Sequence, residues 1–241
     1  MKTYFYNRSP YPFIETPVPE CFKNLDDHFD AHGYDPKDTL SDPFLRLAEN
    51  ISRRMADIDM YSEIIADVLK DKSPWRGATL AGSFIVGYFS ACKSLLDAVS
   101  IALAELYILP LSNKEKDFTK TKFWNSLRSK TPEICNRYSR FRAFFEEIVK
   151  WRDSAIHRIA PLVIVHGSGP PIEPVATEEV EIKMVADPET DFELLIKNPK
   201  DVDWIAPPDL HQKWRSDFIS LCNFICQDIQ ENLNKSSSQH S

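Results

Sequence analysis

Glycine is scarce in this 241-residue chain: there are six. None is arranged as a phosphate-binding turn. Neither G-x-G-x-x-G nor G-x-x-x-x-G-K-[ST] occurs, and the one G-x-G is Gly167-Ser168-Gly169. A doubly wound nucleotide-binding fold, which cradles phosphates on such glycines, is therefore not expected. Long uncharged apolar runs are also missing. The best stretch, Ala78 to Leu109, is interrupted by Lys93, Asp97 and Glu105, so no membrane span and no membrane partner are expected. The first residues, MKTYFYNRSPYPF, lack the continuous apolar core of a secretory leader. Cysteine is sparse and odd in number, at Cys21, Cys92, Cys135, Cys222 and Cys226. That spacing predicts free thiols in a reducing compartment, hence a cytoplasmic protein. Of the six histidines, only His28 and His32 share the i, i+4 spacing of a metal pair, and no third ligand is indicated. No metal or other cofactor is expected. A basic excess is absent too. The 29 Lys and Arg against 36 Asp and Glu leave a formal net charge of −7, which at first sight argues against nucleic acid.

What is present is ordinary globular material. Apolar residues at 43% suffice for a hydrophobic core without disulfide or metal staples. Prolines and capping residues divide the chain. Residues 1–40, with Pro10, Pro12, Pro17 and Pro19, predict an extended N-terminal arm, with room for a short helix ending at Gly33. Asp42 as N-cap and Pro43 at the first position open a long helix through Ile51, Met55, Ile58 and Ile65. The Ser73-Pro74 step should end it. A second helix, apolar nearly all round, is predicted over 79–109, with Gly82, Ser83, Gly87, Ser90 and Ala91 small enough to admit neighbours. A short helix at 123–127, a third long helix from Thr131 to Ile159, and a last one over 209–234 follow. Between the last two the period changes. Segments 162–165, 180–184 and 192–196 read as strands. The expected fold is mostly α: a four- to five-helix up-and-down bundle, 41–160 and 207–234, with a small β-rich insertion, 161–206, before the last helix. Residues 235–241 are predicted as a disordered tail.

The residues that point to chemistry are Trp151-Arg152-Asp153-Ser154-Ala155-Ile156-His157-Arg158. On a wheel with Phe141 at zero, Phe145, Ile148, Ala155, Ile156 and Ile159 form one apolar stripe, and Arg152 falls about 20° from its centre. A guanidinium there needs a carboxylate or an anionic ligand. Asp153 and His157 stand four apart and share an adjoining face. A carboxylate so placed can hold one imidazole nitrogen and leave the other for proton transfer.

This Arg-polar-x-x-x-His pattern, late in a helical bundle, resembles the signature of the HEPN superfamily (higher eukaryotes and prokaryotes nucleotide-binding). Arg152, Asp153 and His157 occupy its three positions, and the upstream Leu95-Leu96-Asp97-Ala98 helix is similar to the long second helix of uncharacterised bacterial members. The resemblance spans about 42–160 plus 209–234. It implies a metal-independent endoribonuclease of toxin or defence type, acting as a homodimer whose two motifs line a shared cleft. His157 would then be the general acid or base at the ribose 2′-hydroxyl or the leaving oxygen. Arg152 would hold the scissile phosphate, and Asp153 would orient Arg152 or His157. Lys93, Asp97 and Arg158 are secondary cleft candidates. Some members carry a Tyr two residues after the His, linked to a nucleotidyltransferase antitoxin. That position is Ile159 here, so that pairing and its modification chemistry are not supported, though another antitoxin-like partner is compatible with the pattern.

Other accounts stand beside this one. Arg152 can serve as a structural ion pair with Asp97 or Glu105. His157 can be a solvated residue favoured by the helix dipole. Lys93 and Asp97 can form an i, i+4 salt bridge. Cys222 and Cys226, and Trp204, Trp214 and Phe218, read as core packing. At the level of the whole protein, the alternatives are a non-catalytic HEPN-like bundle binding nucleotide, RNA or a partner protein, and a purely structural interaction module. The charge is also unevenly spread. Residues 111–158 carry twelve basic against six acidic side chains, whereas 171–209 carry three against eleven. The acid therefore sits in the insertion and the motif closes a basic block, so the total of −7 does not exclude RNA at the motif.

Overall fold

The Asp42 carboxylate accepts a hydrogen bond from the Leu45 amide at 2.9 Å, and Pro43 takes the first helical position behind it. The N-cap satisfies an amide that the helix leaves unpaired. The computed structural model describes residues 17–33, 42–70, 74–157, 164–166, 181–190, 193, 197–198 and 201–238. Among them are seven α-helices: α1 (Glu20–Ala31), α2 (Pro43–Val68), α3 (Pro74–Leu106), α4 (Thr121–Lys130), α5 (Pro132–Ser139), α6 (Arg142–His157) and α7 (Pro207–Ser238). Three short strands, β1 (Ile164–His166), β2 (Glu181–Val185) and β3 (Trp204–Ile205), precede α7. They pair antiparallel in the order β1-β2-β3, with Val165 opposite Ile182 and Val185 opposite Trp204.

The fold is mostly α, with the small sheet before the last helix. Helix α3 is its axis and packs against α2, α6 and α7. Its apolar face all round follows from that position. The helix is long and apolar enough to cross a membrane, yet 56% of its most apolar window is buried inside the bundle, as in a core helix. Trp214 of α7 stacks nearly parallel to Tyr88 of α3 at 6.3 Å, and Phe89 stacks on Trp151 of α6 at 5.1 Å. At Gly87, α3 makes room for the Tyr61 side chain of α2. A Cβ there would meet the Tyr61 ring at 2.5 Å.

Several boundaries differ from expectation. The helix count is seven rather than four to five. The short helix expected to end at Gly33 is present as α1, but it belongs to the bundle rather than to an extended arm: its Phe22, Leu25 and Phe29 are buried in the common core, against α7 and α2. The predicted helix from Thr131 to Ile159 is two helices, broken at Arg140–Phe141. The break lets α5 stay tied to α7, where Arg137 and Tyr138 each lie 2.7 Å from the buried Asp228 carboxylate, while α6 packs along α3. Burial pushes the Asp228 carboxyl up, and the bonds from Tyr138 and Arg137 oppose the rise. The tail expected to be disordered from 235 is helical to Ser238, with the Ser236 hydroxyl donating to the Asn232 carbonyl at 3.0 Å. In the segment predicted as a strand over 192–196, Glu193 is helical, and its carboxylate takes a bond from Lys197 at 2.8 Å across one helical turn. The rest of that segment lies outside the described residues.

Helix α3 ends in an unusual cap. The Leu109 amide donates to the Ala104 carbonyl at 2.9 Å and the Ile108 amide to the Glu105 carbonyl at 3.2 Å, the paired bonds of a Schellman motif. Ile108 has φ +49, in the left-handed region that glycine usually fills, and its side chain is 80% exposed.

Candidate functional site

Trp151, buried against Phe89, anchors the last turns of α6 and fixes where the following residues emerge. Arg152 comes out half-exposed, and its Nη1 donates to Asp153 Oδ1 at 2.8 Å. The two side chains are 36% and 52% exposed, so the pair is held loosely in solvent rather than locked in the core. The buried arc of α6 runs through Phe144, Phe145, Ile148, Trp151 and Ala155, while Ile156 is 43% exposed. The stripe is thus rotated from the wheel centred on Phe141, because Phe144 and Trp151 also turn inward. Arg152 lies at its margin, not its middle. His157 is the last residue of α6, one turn beyond Asp153; its side chain, and all of Arg158, lie outside the described residues.

Lys93 and Asp97 on α3 are joined by a hydrogen bond, the i, i+4 pair expected from their spacing. A third member was not foreseen. Asp117, from the loop after α3, brings Oδ2 to 3.4 Å from Lys93. The loop is pinned there by the fully buried Ser100 hydroxyl, 2.8 Å from the Lys116 carbonyl. Burial pushes the Asp97 carboxyl up, Asp117 adds to the rise, and the positive charges of Lys93 and Arg152 work against it. Burial also works to raise Asp117, but the Thr119 amide and Lys93 outweigh it and hold that carboxyl below its usual range. Arg152 therefore acts on Asp97 by charge, across the contact between α6 and α3, and among the described residues it is not bonded into the Lys93–Asp97–Asp117 cluster. Glu105, the other carboxylate weighed for Arg152, pairs instead with Arg46 at 3.5 Å and Lys116 at 3.7 Å.

A second polar network lies in the core. The fully buried Asp59 carboxylate of α2 lies 3.3 Å from Arg215 Nε and 3.5 Å from His211 Nε2, both on α7. His211 Nδ1 is 3.1 Å from the Tyr88 hydroxyl of α3. Burial pushes the Tyr88 phenol up, so it stays protonated and donates to Nδ1, leaving the Nε2 proton for Asp59. The order acid–imidazole–phenol has the form of a proton relay. The cavity beside it, lined in part by Ser62, Tyr88 and His211, is about 10 Å³ and has room for roughly one water. No substrate fits, so this network joins α2, α3 and α7 rather than forming a reaction site. Its sequence signal was an acid on the buried stripe of α2, four residues after Met55.

The His28 and His32 rings lie 4.4 Å apart, tilted by 46°, but among the described residues no group of three or more metal-ligating side chains comes together. All five cysteines are free and buried, Cys222 and Cys226 within the core. The chain matches no family model, no curated protein and no solved structure.

Proposed function

We propose that this protein is a HEPN-like, metal-independent endoribonuclease of toxin or defence type, acting in the cytoplasm as a homodimer. The observation that carries the proposal is the state of Arg152. It stands half-exposed, its one direct ionic bond among the described residues is to its exposed neighbour Asp153, and that exposed carboxylate can be exchanged for a phosphate. A structural arginine bonded to a core carboxylate would have no such freedom. Ile156, one turn further, is an exposed apolar side chain beside the motif, as a surface covered by a second copy would provide. Five free thiols fit a reducing compartment.

In this mechanism His157 removes the ribose 2′-hydroxyl proton. The 2′-oxygen forms a bond to phosphorus while the bond from phosphorus to the 5′-oxygen breaks. A proton from the second motif of the dimer goes to the leaving 5′-oxygen. Arg152 stabilises the charge that builds on the phosphate oxygens, and Asp153 keeps Arg152 or His157 oriented. The products are a 2′,3′-cyclic phosphate and a free 5′-hydroxyl.

An RNA cleavage assay in chelator tests this, with wild type against His157→Ala and Arg152→Gln. The wild type should cut and leave cyclic ends, and each variant should lose about 100-fold or more. Equal activity in wild type and His157→Ala would overturn the mechanism. Wild-type protein that binds RNA without cutting it would favour a non-catalytic binding bundle.

A further inference from the structure

A groove of about 350 Å³ runs beside α6, and one wall is the Phe118–Thr119 turn that precedes α4. Its floor is apolar. Phe118 and Phe145 stack at 4.2 Å, and Val149 continues the floor toward the C-terminal end of α6. Arg142 and Lys150 stand at its rims. Arg142 is exposed, lies 5.4 Å from the Trp124 ring centre, and has no carboxylate in ion-pair range among the described residues. Lys150 is engaged at 2.8 Å by Glu189, from the turn after β2 in the acidic insertion. Glu146 sits between the two cations, one helical turn from each, and is the groove's own acid.

We propose that this groove is the subsite for the single-stranded RNA next to the scissile bond, and that Glu189 occupies the place of one of its phosphates on Lys150. The proposal rests on the reading of Arg152 and His157 as acting on RNA. Phe145, Val149 and Arg152 stand at i, i+4 and i+7, on one face of α6. The distance from Phe145 to Arg152 along the helix is about 10 Å, which an extended dinucleotide spans. A strand whose phosphate reaches Arg152 therefore lays its neighbouring base over the apolar floor and its next phosphate toward Arg142. The volume is within the range of small-ligand pockets. A guanidinium with no described carboxylate partner over an aromatic ring, an apolar floor and a second cation are the components that sequence-tolerant single-strand binding uses.

The test is equilibrium binding of a fluorescent 12-nucleotide 2′-O-methyl oligoribonucleotide, which cannot be cleaved through its 2′-oxygen, across a series of salt concentrations. Arg142→Gln should weaken binding about tenfold at low salt and reduce the salt slope by about one. Val149→Trp, which fills the floor, should weaken binding with the slope unchanged. Glu189→Gln should tighten binding several-fold and raise the slope, while Glu193→Gln, paired with Lys197 elsewhere in the insertion, should do neither. Thermal melts establish that each variant is folded, and Arg142→Gln alone carries the test if Val149→Trp unfolds. A wild type that does not bind the oligonucleotide, or variants at Arg142 and Val149 that bind as wild type does, would overturn the groove. The two proposals separate cleanly. Cleavage by wild type with unchanged affinity in Arg142→Gln sinks the groove and keeps the nuclease. Groove-dependent binding without cleavage of ordinary RNA keeps the groove and sinks the nuclease.

Discussion

Lys150 Nζ lies 2.8 Å from Glu189 Oε2, and this bond joins the basic helix of the motif to the acidic insertion. Both side chains are 54% exposed. Glu189 holds the Lys150 ammonium above its ordinary range, by its hydrogen bond and then by its charge. The opposite charge balances of the two segments thus meet at one point on the surface.

An exposed pair of this kind contributes little to folding. Glu189→Gln should leave the thermal midpoint unchanged within error, measured by circular dichroism. A clear drop would mean that the insertion is a structural brace rather than a cover on the groove.

The core network behaves differently. Asp59→Leu would strip the buried carboxylate from both Arg215 and His211, leaving Arg215 only its weaker bond from Nη2 to the Pro17 carbonyl at 3.4 Å. A loss of about 3 kcal/mol in urea-unfolding free energy is expected, because breaking a buried pair strands its partner. If Asp59→Leu unfolds as wild type does, the network is not holding α7 onto α2 and α3.

Ile108 should be a site of gain. Strain at its φ of +49 costs roughly 1–3 kcal/mol, and the exposed side chain has little packing to lose. After the entropy cost of glycine, Ile108→Gly should stabilise by about 1 kcal/mol, or roughly 2–4 °C in melting temperature. A lower melting temperature would refute the strain account.

Glu115 gives a pH signature. The Lys122 ammonium, followed by the Ser112 amide, lowers its carboxyl from 4.5 to about 2. The folded state then binds fewer protons than the unfolded chain between those values, so stability rises with pH across that window and is lost on acidification through it. Stability measured from pH 5 to pH 2 should fall less steeply in Glu115→Gln than in wild type. An unchanged slope would show that the pair to Lys122 is not formed in solution.

Cys21 should be the first thiol to react. It is 8% exposed, the most of the five, and a hydrogen bond from Cys226 lowers its pKa. Burial pushes Cys222 and Cys226 well up, so they stay protonated and unreactive. Iodoacetamide with peptide mapping should label Cys21 before any other cysteine, and earlier labelling of Cys92 or Cys222 would contradict the packing of α1.

Much of this protein was legible one residue at a time. Asp42-Pro43 marked the start of α2, because capping and proline sterics are local, whereas α2 ends at Val68, ahead of the Ser73-Pro74 step, and Pro74 instead opens α3. The apolar period placed the core faces of α2, α3 and α7, and the Lys93–Asp97 bond followed from i, i+4 geometry alone. What was not legible depends on residues far apart in the chain. The break between α5 and α6 is set by Asp228, some ninety residues later, which takes bonds from Arg137 and Tyr138. Asp117 reaches Lys93 because Ser100 pins a loop. The short helix expected to end at Gly33 is α1, but that Phe22 and Leu25 bury against α7 could not be read from the arm's own residues. Arg152 shows the division most sharply. Residue type and spacing made it a candidate, since an arginine on an apolar stripe demands an anion. Whether that anion is part of the protein or comes from outside is a matter of which carboxylates the packed helices bring near it. Here Glu105 is turned toward Arg46 and Lys116, and Asp97 is bonded to Lys93. That leaves Arg152 at the surface with Asp153, because ion pairing depends on distances that only packing sets.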